Sequence, residues 1–323
     1  MNKNAALLTP FLLLLVQSGV LGASPKHRSF EREEDGAFSP RKHGEEDHSF
    51  DHEAILGSSK EADEFQTLSP EEAKARLVIL LSKMDRNGNR KIENTELRSW
   101  ILRSFKSLSL EESNERLLET DEDQDGFVSW SEYMKEEFGL SDFDPSMLNN
   151  EEMDAEELSL MSEDKYLFSA ADKDNDGRLS TEEFLSFTHP EEDPPMSPHV
   201  VNQILKERDG NSDGKLDFQE YIGARGRDMD KDRLKEEKDR FDDELDDDGN
   251  GFMDREEISN WIIPSKEEIA EEETEHLLAG ADDDHDGVLS FEEILNHHDL
   301  FVGSEVTDYG SRLENIHKFQ DEL

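Results

Sequence analysis

The chain has 323 residues, 33% of them hydrophobic and 18 of them phenylalanine, a composition that supports several small cores rather than one large core. Its 83 acidic and 35 basic residues give a formal net charge of −48, which argues against nucleic acid or an anionic membrane surface as a partner. The sequence contains no cysteine, which excludes disulfide bonds, thiolate metal sites and cysteine nucleophiles.

The N-terminal segment has the features of a secretory signal peptide. Lys3 precedes an apolar stretch from Ala5 to Val16, which is too short to span a bilayer. Gly22 and Ala23 are small residues, and cleavage by signal peptidase suits a position after either one. Residues 1–22 are therefore predicted to be removed, which directs the mature chain into the secretory pathway without a membrane span.

The remainder of the chain is organised by a repeat. A twelve-residue acidic segment starts at residues 85, 121, 172, 209, 246 and 282, and five of the six copies match the EF-hand loop pattern D-x-[DN]-x-[DN]-G-x5-E. So acidic a composition is also compatible with a disordered polyanion, but the regular spacing of the acids favours folded loops. Calcium prefers six to eight oxygen ligands at about 2.3–2.6 Å. The pattern supplies them from side chains at positions 1, 3, 5 and 12 and from the backbone carbonyl of position 7.

The second to sixth loops are therefore predicted to be calcium sites. In each of them position 6 is glycine, which tolerates the left-handed backbone that turns the chain around the ion. The glutamate at position 12 can offer both carboxylate oxygens, which favours calcium over magnesium. The predicted ligands are Asp121, Asp123, Asp125, Phe127, Glu132; Asp172, Asp174, Asp176, Arg178, Glu183; Asp209, Asn211, Asp213, Lys215, Glu220; Asp246, Asp248, Asn250, Phe252, Glu257; and Asp282, Asp284, Asp286, Val288, Glu293.

The first loop departs from the pattern. It has Arg90 at position 6, where glycine is expected, and a non-glycine residue in the left-handed region costs roughly 1 kcal/mol. Asparagine at positions 3 and 5 removes two negative charges, and the neighbouring basic side chains add positive charge. The loop is predicted to be a weak site, with Asp85, Asn87, Asn89, Lys91 and Glu96 as its ligands. A degenerate loop kept only to pair with the second loop is equally compatible with the sequence.

Helical patterning flanks the loops, and the predicted fold is all-α with six EF-hand helix-loop-helix units. A hydrophobic residue at position 8 of every loop suits a short β-bridge between paired loops: Ile92, Val128, Leu179, Leu216, Met253 and Leu289. Count and order predict three pairs, 1–2, 3–4 and 5–6. The predicted divisions are residues 1–22 (signal peptide), 23–65 (flexible charged segment), 66–140 (EF-hands 1 and 2), 141–162 (acidic linker), 163–225 (EF-hands 3 and 4), 226–303 (EF-hands 5 and 6) and 304–323 (C-terminal tail).

The chain ends in Gln320, Asp321, Glu322 and Leu323, which resembles the KDEL and HDEL addresses of endoplasmic-reticulum proteins. Glutamine in the first of these positions departs from both. Together with the signal peptide, this ending predicts that the protein stays in the lumen of the endoplasmic reticulum by binding a retrieval receptor.

Four further stretches carry a family resemblance: FDHEAILG at 50–57, LSPEEAKARL at 68–77, HPEE at 189–192 and DLFVGSEVTDYG at 299–310. No calcium ligand requires them. With the six loops in this order, the sequence resembles the reticulocalbin and calumenin family of luminal multiple-EF-hand proteins over almost the whole mature chain. The resemblance implies a luminal, low-affinity calcium binder that associates with client or regulatory proteins of the secretory pathway. The Arg90 loop and the QDEL ending depart from the family pattern.

The sequence favours one class of function and leaves a second open. The first is calcium binding in the endoplasmic-reticulum lumen, with low-affinity buffering and calcium-dependent regulation or chaperoning of secretory-pathway proteins. The alternative is a calcium sensor that exposes a hydrophobic groove to a partner helix, although the nine methionines are scattered along the chain. An enzyme is disfavoured because the sequence has no HExxH pair, phosphate-binding glycine loop, GxSxG elbow or Cys–His pair.

Overall fold

The computed structural model describes residues 37–38, 48–140, 155–227 and 229–303, with side chains except at 155–157. Its helices are α1 Ser49–Leu56, α2 Ser59–Gln66, α3 Pro70–Met84, α4 Asn94–Thr120, α5 Trp130–Phe138, α6 Ala155–Ala171, α7 Thr181–Thr188, α8 Ser197–Arg208, α9 Phe218–Ile222, α10 Lys231–Arg240, α11 Arg255–Ile262, α12 Lys266–Ala281, α13 Phe291–Asn296 and α14 His298–Val302. The strands are β1 Lys91–Ile92, β2 Val128–Ser129, β3 Arg178–Leu179, β4 Leu216–Asp217, β5 Phe252–Met253 and β6 Leu289–Ser290. The prediction of an all-α fold with short β-bridges is confirmed.

The helix after each of the second to sixth loops begins with a capping box. In the second loop Glu132 N–H donates to Ser129 Oγ (3.3 Å), and Ser129 N–H donates to Glu132 Oε2 (2.8 Å). Two backbone donors that the helix leaves unpaired are thus satisfied reciprocally. The residues in these roles occupy positions 9 and 12 of the loop. The glutamate predicted to bind calcium therefore also caps the N-terminus of the following helix.

The six loops are joined by three antiparallel bridges, and these pair the first loop with the sixth, the second with the third and the fourth with the fifth. The position 8 residues face one another as Ile92↔Leu289, Val128↔Leu179 and Leu216↔Met253. All six of these side chains are fully buried. The prediction that position 8 forms the bridges is therefore confirmed.

The predicted pairing 1–2, 3–4 and 5–6 is wrong, and helix α4 supplies the reason. It has 27 residues and runs without a break from the first loop into the second. At 1.5 Å per residue it separates the two loops by about 40 Å, so they cannot form a bridge. The sequence carries the signal, because residues 97–120 contain neither glycine nor proline. With the first loop paired to the sixth, the four remaining loops pair as sequence neighbours.

Two clusters of buried side chains form the interior. The larger core holds the second to fifth EF-hand units and includes close aromatic contacts such as Tyr133 with Phe187, whose ring centroids are 5.0 Å apart. The smaller core holds the first and sixth units with α1, α2 and α14. The chain passes between the cores along α4 and again between α11 and α12. In the described part of the chain, no helix is both long and apolar enough to cross a membrane.

Part of the segment predicted to be flexible, 23–65, is folded. Helix α1 buries Phe50, Ala54 and Ile55 in the smaller core, a helical spacing of apolar residues that the surrounding charges conceal in the sequence. The Nε1–H of Trp100 donates to the backbone oxygen of Ile55 (2.7 Å). On the other side, His52 Nε2 lies 2.9 Å from the backbone oxygen of Asp299, next to α14. Burial and these polar contacts order the segment. Helix α6 likewise begins within the predicted linker 141–162.

A polar cluster lies at the edge of the smaller core, where α1 meets α12. It consists of His48, Asp51, Glu273 and His276, and is called the Asp51 cluster below. Asp51 and Glu273 have 0% and 1% of their surfaces exposed. Burial and the neighbouring Asp51 raise the pKa of Glu273 to about 8, so this carboxyl retains its proton at neutral pH.

The pairing can be tested with a double-mutant cycle on the position 8 residues. Ile92→Ala and Leu289→Ala should each lower the free energy of unfolding by about 2–5 kcal/mol, because each removes fully buried methyl groups. Since these residues face each other, the double variant should show a coupling energy of about 0.5–3 kcal/mol in denaturant unfolding with saturating calcium.

Ile92→Ala combined with Val128→Ala is the matched control. Both side chains are fully buried, but they lie on different bridges, so their effects should add within about 0.5 kcal/mol. The opposite result, in which Ile92 and Val128 are coupled and the effects of Ile92 and Leu289 add, would contradict the observed pairing. It would favour the pairing of the first loop with the second.

Candidate calcium sites

Backbone N–H groups hold the predicted ligand side chains in place in each loop. In the second loop, Asp121 Oδ1 accepts from the N–H of Asp125 (3.2 Å) and Oδ2 from that of Gly126 (2.9 Å). Asp125 in turn accepts from Phe127 N–H (2.9 Å). Glu132 Oε1 accepts from two N–H groups at the start of the loop, at 3.2 and 3.4 Å. The loop is folded around its own carboxylates, which point inward towards a common centre.

The carboxylates converge in the same way in four of the loops. In the second, third, fifth and sixth loops, one carboxylate oxygen from each of positions 1, 3 and 12 lies within 4.8 Å of the others. These groups are Asp121, Asp123, Glu132; Asp172, Asp174, Glu183; Asp246, Asp248, Glu257; and Asp282, Asp284, Glu293. A cluster made only of oxygen donors fits calcium, a hard cation, and does not fit a metal that prefers nitrogen or sulfur.

The fourth loop has asparagine at position 3 but keeps the same hydrogen bonds. Asp213 N–H donates to Asp209 Oδ1 (3.2 Å) and to Asn211 Oδ1 (2.8 Å). Glu220 Oε1 accepts from Gly210 N–H (3.0 Å). The structure therefore brings the side chains of positions 1, 3, 5 and 12 together here as well, with one negative charge fewer than in the second, third and sixth loops and the same charge as in the fifth, which has Asn250 at position 5.

The hydrogen bonds also set the ionisation of the ligands. Burial opposes ionisation of Glu183, but donation from Ser180 outweighs it and holds the pKa of this carboxyl below its usual value. Asp123 shows the opposite balance. Donation from Asp125 N–H lowers its pKa, but partial desolvation and the neighbouring carboxylates of the loop raise it above the usual value. Calcium would relieve this repulsion between carboxylates.

The backbone shows why the first loop can fold with Arg90 at position 6. Each loop places two residues at positive φ, at positions 4 and 6, and not only the one expected from the pattern. In the first loop these are Gly88 (φ 76°) and Arg90 (φ 62°). The second loop reverses the roles, with Gln124 at φ 59° and Gly126 at φ 84°. Each of these two loops thus has one glycine and one strained residue. Backbone strain does not set the first loop apart.

Charge is what distinguishes the first loop. Asp85 Oδ2 accepts from Arg90 N–H (2.8 Å), and Glu96 Oε1 accepts from Arg86 N–H (2.9 Å), so the hydrogen bonds of the other loops are kept. Its ligands at positions 3 and 5 are neutral amides, and Lys91 at position 7 adds a cation. The weakness of this site stays a prediction, now based on charge alone.

Two basic side chains reach across the bridges, a feature that sequence reasoning missed. Lys91 Nζ, from the first loop, lies 2.5 Å from Asp286 Oδ2 of the sixth loop. Arg178, from the third loop, donates to Asp125 Oδ2 of the second loop (2.7 Å). In both cases position 7 of one loop contacts the position 5 ligand of its partner. The sequence shows the basic residues, but the contacts can be predicted only once the correct pairing is known.

These loops and the helices around them define a multiple EF-hand, calcium-binding protein. Residues 161–224 and residues 263–296 each match the family described as an EF-hand domain pair. The first match spans the third and fourth loops, which are neighbours in sequence but are not joined by a bridge.

Full-length relatives identify the family. Reticulocalbin-2 of Crotalus adamanteus is 39% identical over 287 residues, which cover 87% of this chain and 93% of that protein. Reticulocalbin-2 of Mus musculus is 36% identical over 87% of this chain and 89% of that protein. Reticulocalbin-2 of Rattus norvegicus is 35% identical over 100% of this chain and 99% of that protein. The chain belongs to the reticulocalbin family.

The cation contacts across the bridge lead to a prediction for calcium affinity. Arg178→Gln removes the positive charge next to Asp125 but keeps the backbone carbonyl at position 7. Calcium should therefore bind the second loop more tightly, by up to about fivefold, because an exposed ion pair is worth at most about 1 kcal/mol. Calorimetric calcium titration of the variant and the parent measures this change.

Lys215→Gln is the matched control. Lys215 also occupies position 7, but the position 5 residue of its partner loop is the neutral Asn250. This variant should change calcium affinity less than Arg178→Gln does. Equal changes in the two variants would show that general charge, and not the contact across the bridge, controls affinity.

Proposed function

We propose that this protein is a low-affinity calcium buffer of the endoplasmic-reticulum lumen, which also regulates or chaperones secretory-pathway proteins in response to calcium. The observation that carries the proposal is the set of four preorganised carboxylate clusters, accompanied by a fourth loop of the same construction. The predicted ligands of the second to sixth loops are the residues proposed to bind the ions. The first loop is proposed to bind weakly.

Charge supports the buffering part of the proposal. A formal net charge of −48 attracts calcium from solution, and most of the acids lie outside the loops, where they add weak and diffuse cation binding. The contacts of Lys91 with Asp286 and of Arg178 with Asp125 lower the affinity of individual loops. Calcium sites that work at high concentration have dissociation constants of about 10⁻⁴–10⁻³ M, which suits a compartment rich in the ion.

The placement of the methionines disfavours the sensor alternative. Sensors that open a calcium-dependent groove line it with methionine, a flexible and polarizable side chain. Here Met84, Met134, Met161, Met196 and Met253 are each at most 2% exposed and belong to the two cores. Their side chains contribute to the folding of the described units and are not arranged around an open groove.

The proposed compartment follows from the two ends of the sequence. Residues 1–22 have the composition of a cleaved signal peptide, and residues 320–323 resemble a retrieval address. Both segments lie outside the described residues. A chain without cysteine is insensitive to the oxidising lumen, which is consistent with this location. Partners in this proposal are luminal client or regulatory proteins and the retrieval receptor.

Calorimetric calcium titration of residues 23–323 tests the buffering function, with magnesium present and circular dichroism recorded at each addition. We expect five or six ions bound at tens of micromolar to millimolar, with helix gained as the loops fill. Glu183→Gln, a change at position 12 of the third loop, should abolish one site because it removes a carboxylate ligand. Submicromolar binding with newly exposed hydrophobic surface would support the sensor instead, and no saturable binding would exclude both functions.

Retention is tested separately in secreting cells. Deletion of residues 320–323 should move the protein from the cells into the medium, because the retrieval receptor reads the final residues. Replacement of Gln320 by Lys should keep it inside at least as well as the parent. If the deletion leaves the protein in the cells, the C-terminal tail is not what retains it.

A further inference from the structure

One cluster of metal-binding side chain types lies outside the six loops. His48, Asp51 and His276 each offer one ligand atom, and these atoms lie within 4.8 Å of one another. His48 Nδ1 is 2.6 Å from Asp51 Oδ2, and His276 Nε2 is 3.5 Å from the same oxygen. Among the groups of this kind in the described residues, it is the one that contains histidine. Its chemistry therefore differs from that of the calcium loops.

The donor set matches zinc better than calcium. Calcium takes six to eight oxygens, whereas zinc takes four ligands in a tetrahedron and favours imidazole nitrogen together with carboxylate oxygen. Zinc–ligand bonds of about 2.0–2.1 Å place the donor atoms of a tetrahedron about 3.3 Å apart. The two distances to Asp51 Oδ2, 2.6 and 3.5 Å, lie on either side of this value. Small side-chain rotations would accommodate the ion, and the hydrogen bond to His48 would be replaced by bonds to the metal.

The cluster has a buried carboxylate on its inner side and partly exposed imidazoles on its outer side. The side chain of Asp51 has no exposed surface, while those of His48 and His276 are 50% and 33% exposed. The two imidazole rings are nearly parallel, with centroids 6.4 Å apart and planes inclined by 26°. An ion can approach the buried carboxylate from the side of His48, the more exposed of the two imidazoles.

A second buried carboxyl group adds to this environment. Glu273 lies one helical turn before His276 on α12, and it is in contact with Asp51. The buried negative charge of Asp51 would be stabilised by a divalent cation, which supplies the positive charge that solvent cannot. The cluster thus combines nitrogen donors, an anionic donor and a route of entry.

We propose that His48, Asp51 and His276 form a zinc-binding site, with the fourth position open to solvent and Glu273 as the buried carboxyl behind it. The ligands come from the start of α1 and from α12, which enters the sixth loop. A bound ion would link α1 to the sixth EF-hand unit. The site is independent of the calcium loops, so failure of one proposal leaves the other intact.

The site is tested by titrating the full mature chain with Zn²⁺ and, in parallel, with Co²⁺, at saturating calcium so that the loops are occupied. We expect one zinc ion per chain, and intense visible absorption from tetrahedral Co²⁺. His48→Gln and His276→Gln should each weaken zinc binding by at least about 10- to 100-fold. Loss of a residue that only hydrogen-bonds to a metal ligand already lowers metal affinity by that much, and these two residues are proposed to bind the ion directly. Both side chains are partly exposed, so the variants should retain the circular dichroism spectrum of the calcium-loaded parent.

His199→Gln is the matched control, since His199 is hydrogen-bonded to Tyr166 and lies outside the cluster. It should leave zinc affinity unchanged. Thermal unfolding gives a second readout, because a ligand that binds the folded state raises the midpoint. Zinc should raise it in the parent and in His199→Gln, but not in His276→Gln. Zinc binding that survives both cluster variants, or that calcium displaces, would overturn the proposal.

Discussion

The antiparallel bridge between the first and the last loop is the constraint on which the rest of the structure depends. It joins Ile92 to Leu289, residues from opposite ends of the folded chain, and both are fully buried. Since α4 carries the second loop about 40 Å away from the first, the first unit needs a partner from elsewhere in the chain. The sixth unit supplies it, and the resulting smaller core provides the surface on which α1 and α14 pack.

The same pairing determines the electrostatics of the loops. The position 7 bases contact the loop across their own bridge, so Lys91 acts on Asp286 and Arg178 acts on Asp125, and Arg178 also contacts Asp176 of its own loop. Lys215 faces a partner loop with the neutral Asn250 at position 5. The three pairs therefore present three different charge environments to calcium. Filling of the loops is expected over a wide range of calcium concentration, which suits the proposed buffering function.

The parts of this structure that sequence could predict are those fixed by the geometry of an ion. The spacing of Asp121 and Glu132 follows from the size of calcium, and a hydrophobic residue at position 8 follows from the bridge. Pairing depends instead on how far each connecting helix carries the chain, and only the unbroken α4 reveals that distance. The Asp51 cluster could not be predicted, because His48 and His276 are distant in sequence and meet only through the 1–6 pairing.

The position 12 glutamates connect calcium binding to folding. Each belongs to the capping box of the next helix and to a cluster of carboxylates, and Glu183, Glu257 and Glu293 are at most 9% exposed. Without a cation, the clustered negative charges of each loop repel one another and oppose the folded state. Calcium removes the repulsion and leaves the helix cap in place, so ion binding and helix formation stabilise each other. A chain built in this way binds calcium by completing its own fold. The low affinity proposed above would then be a consequence of the free energy that folding consumes.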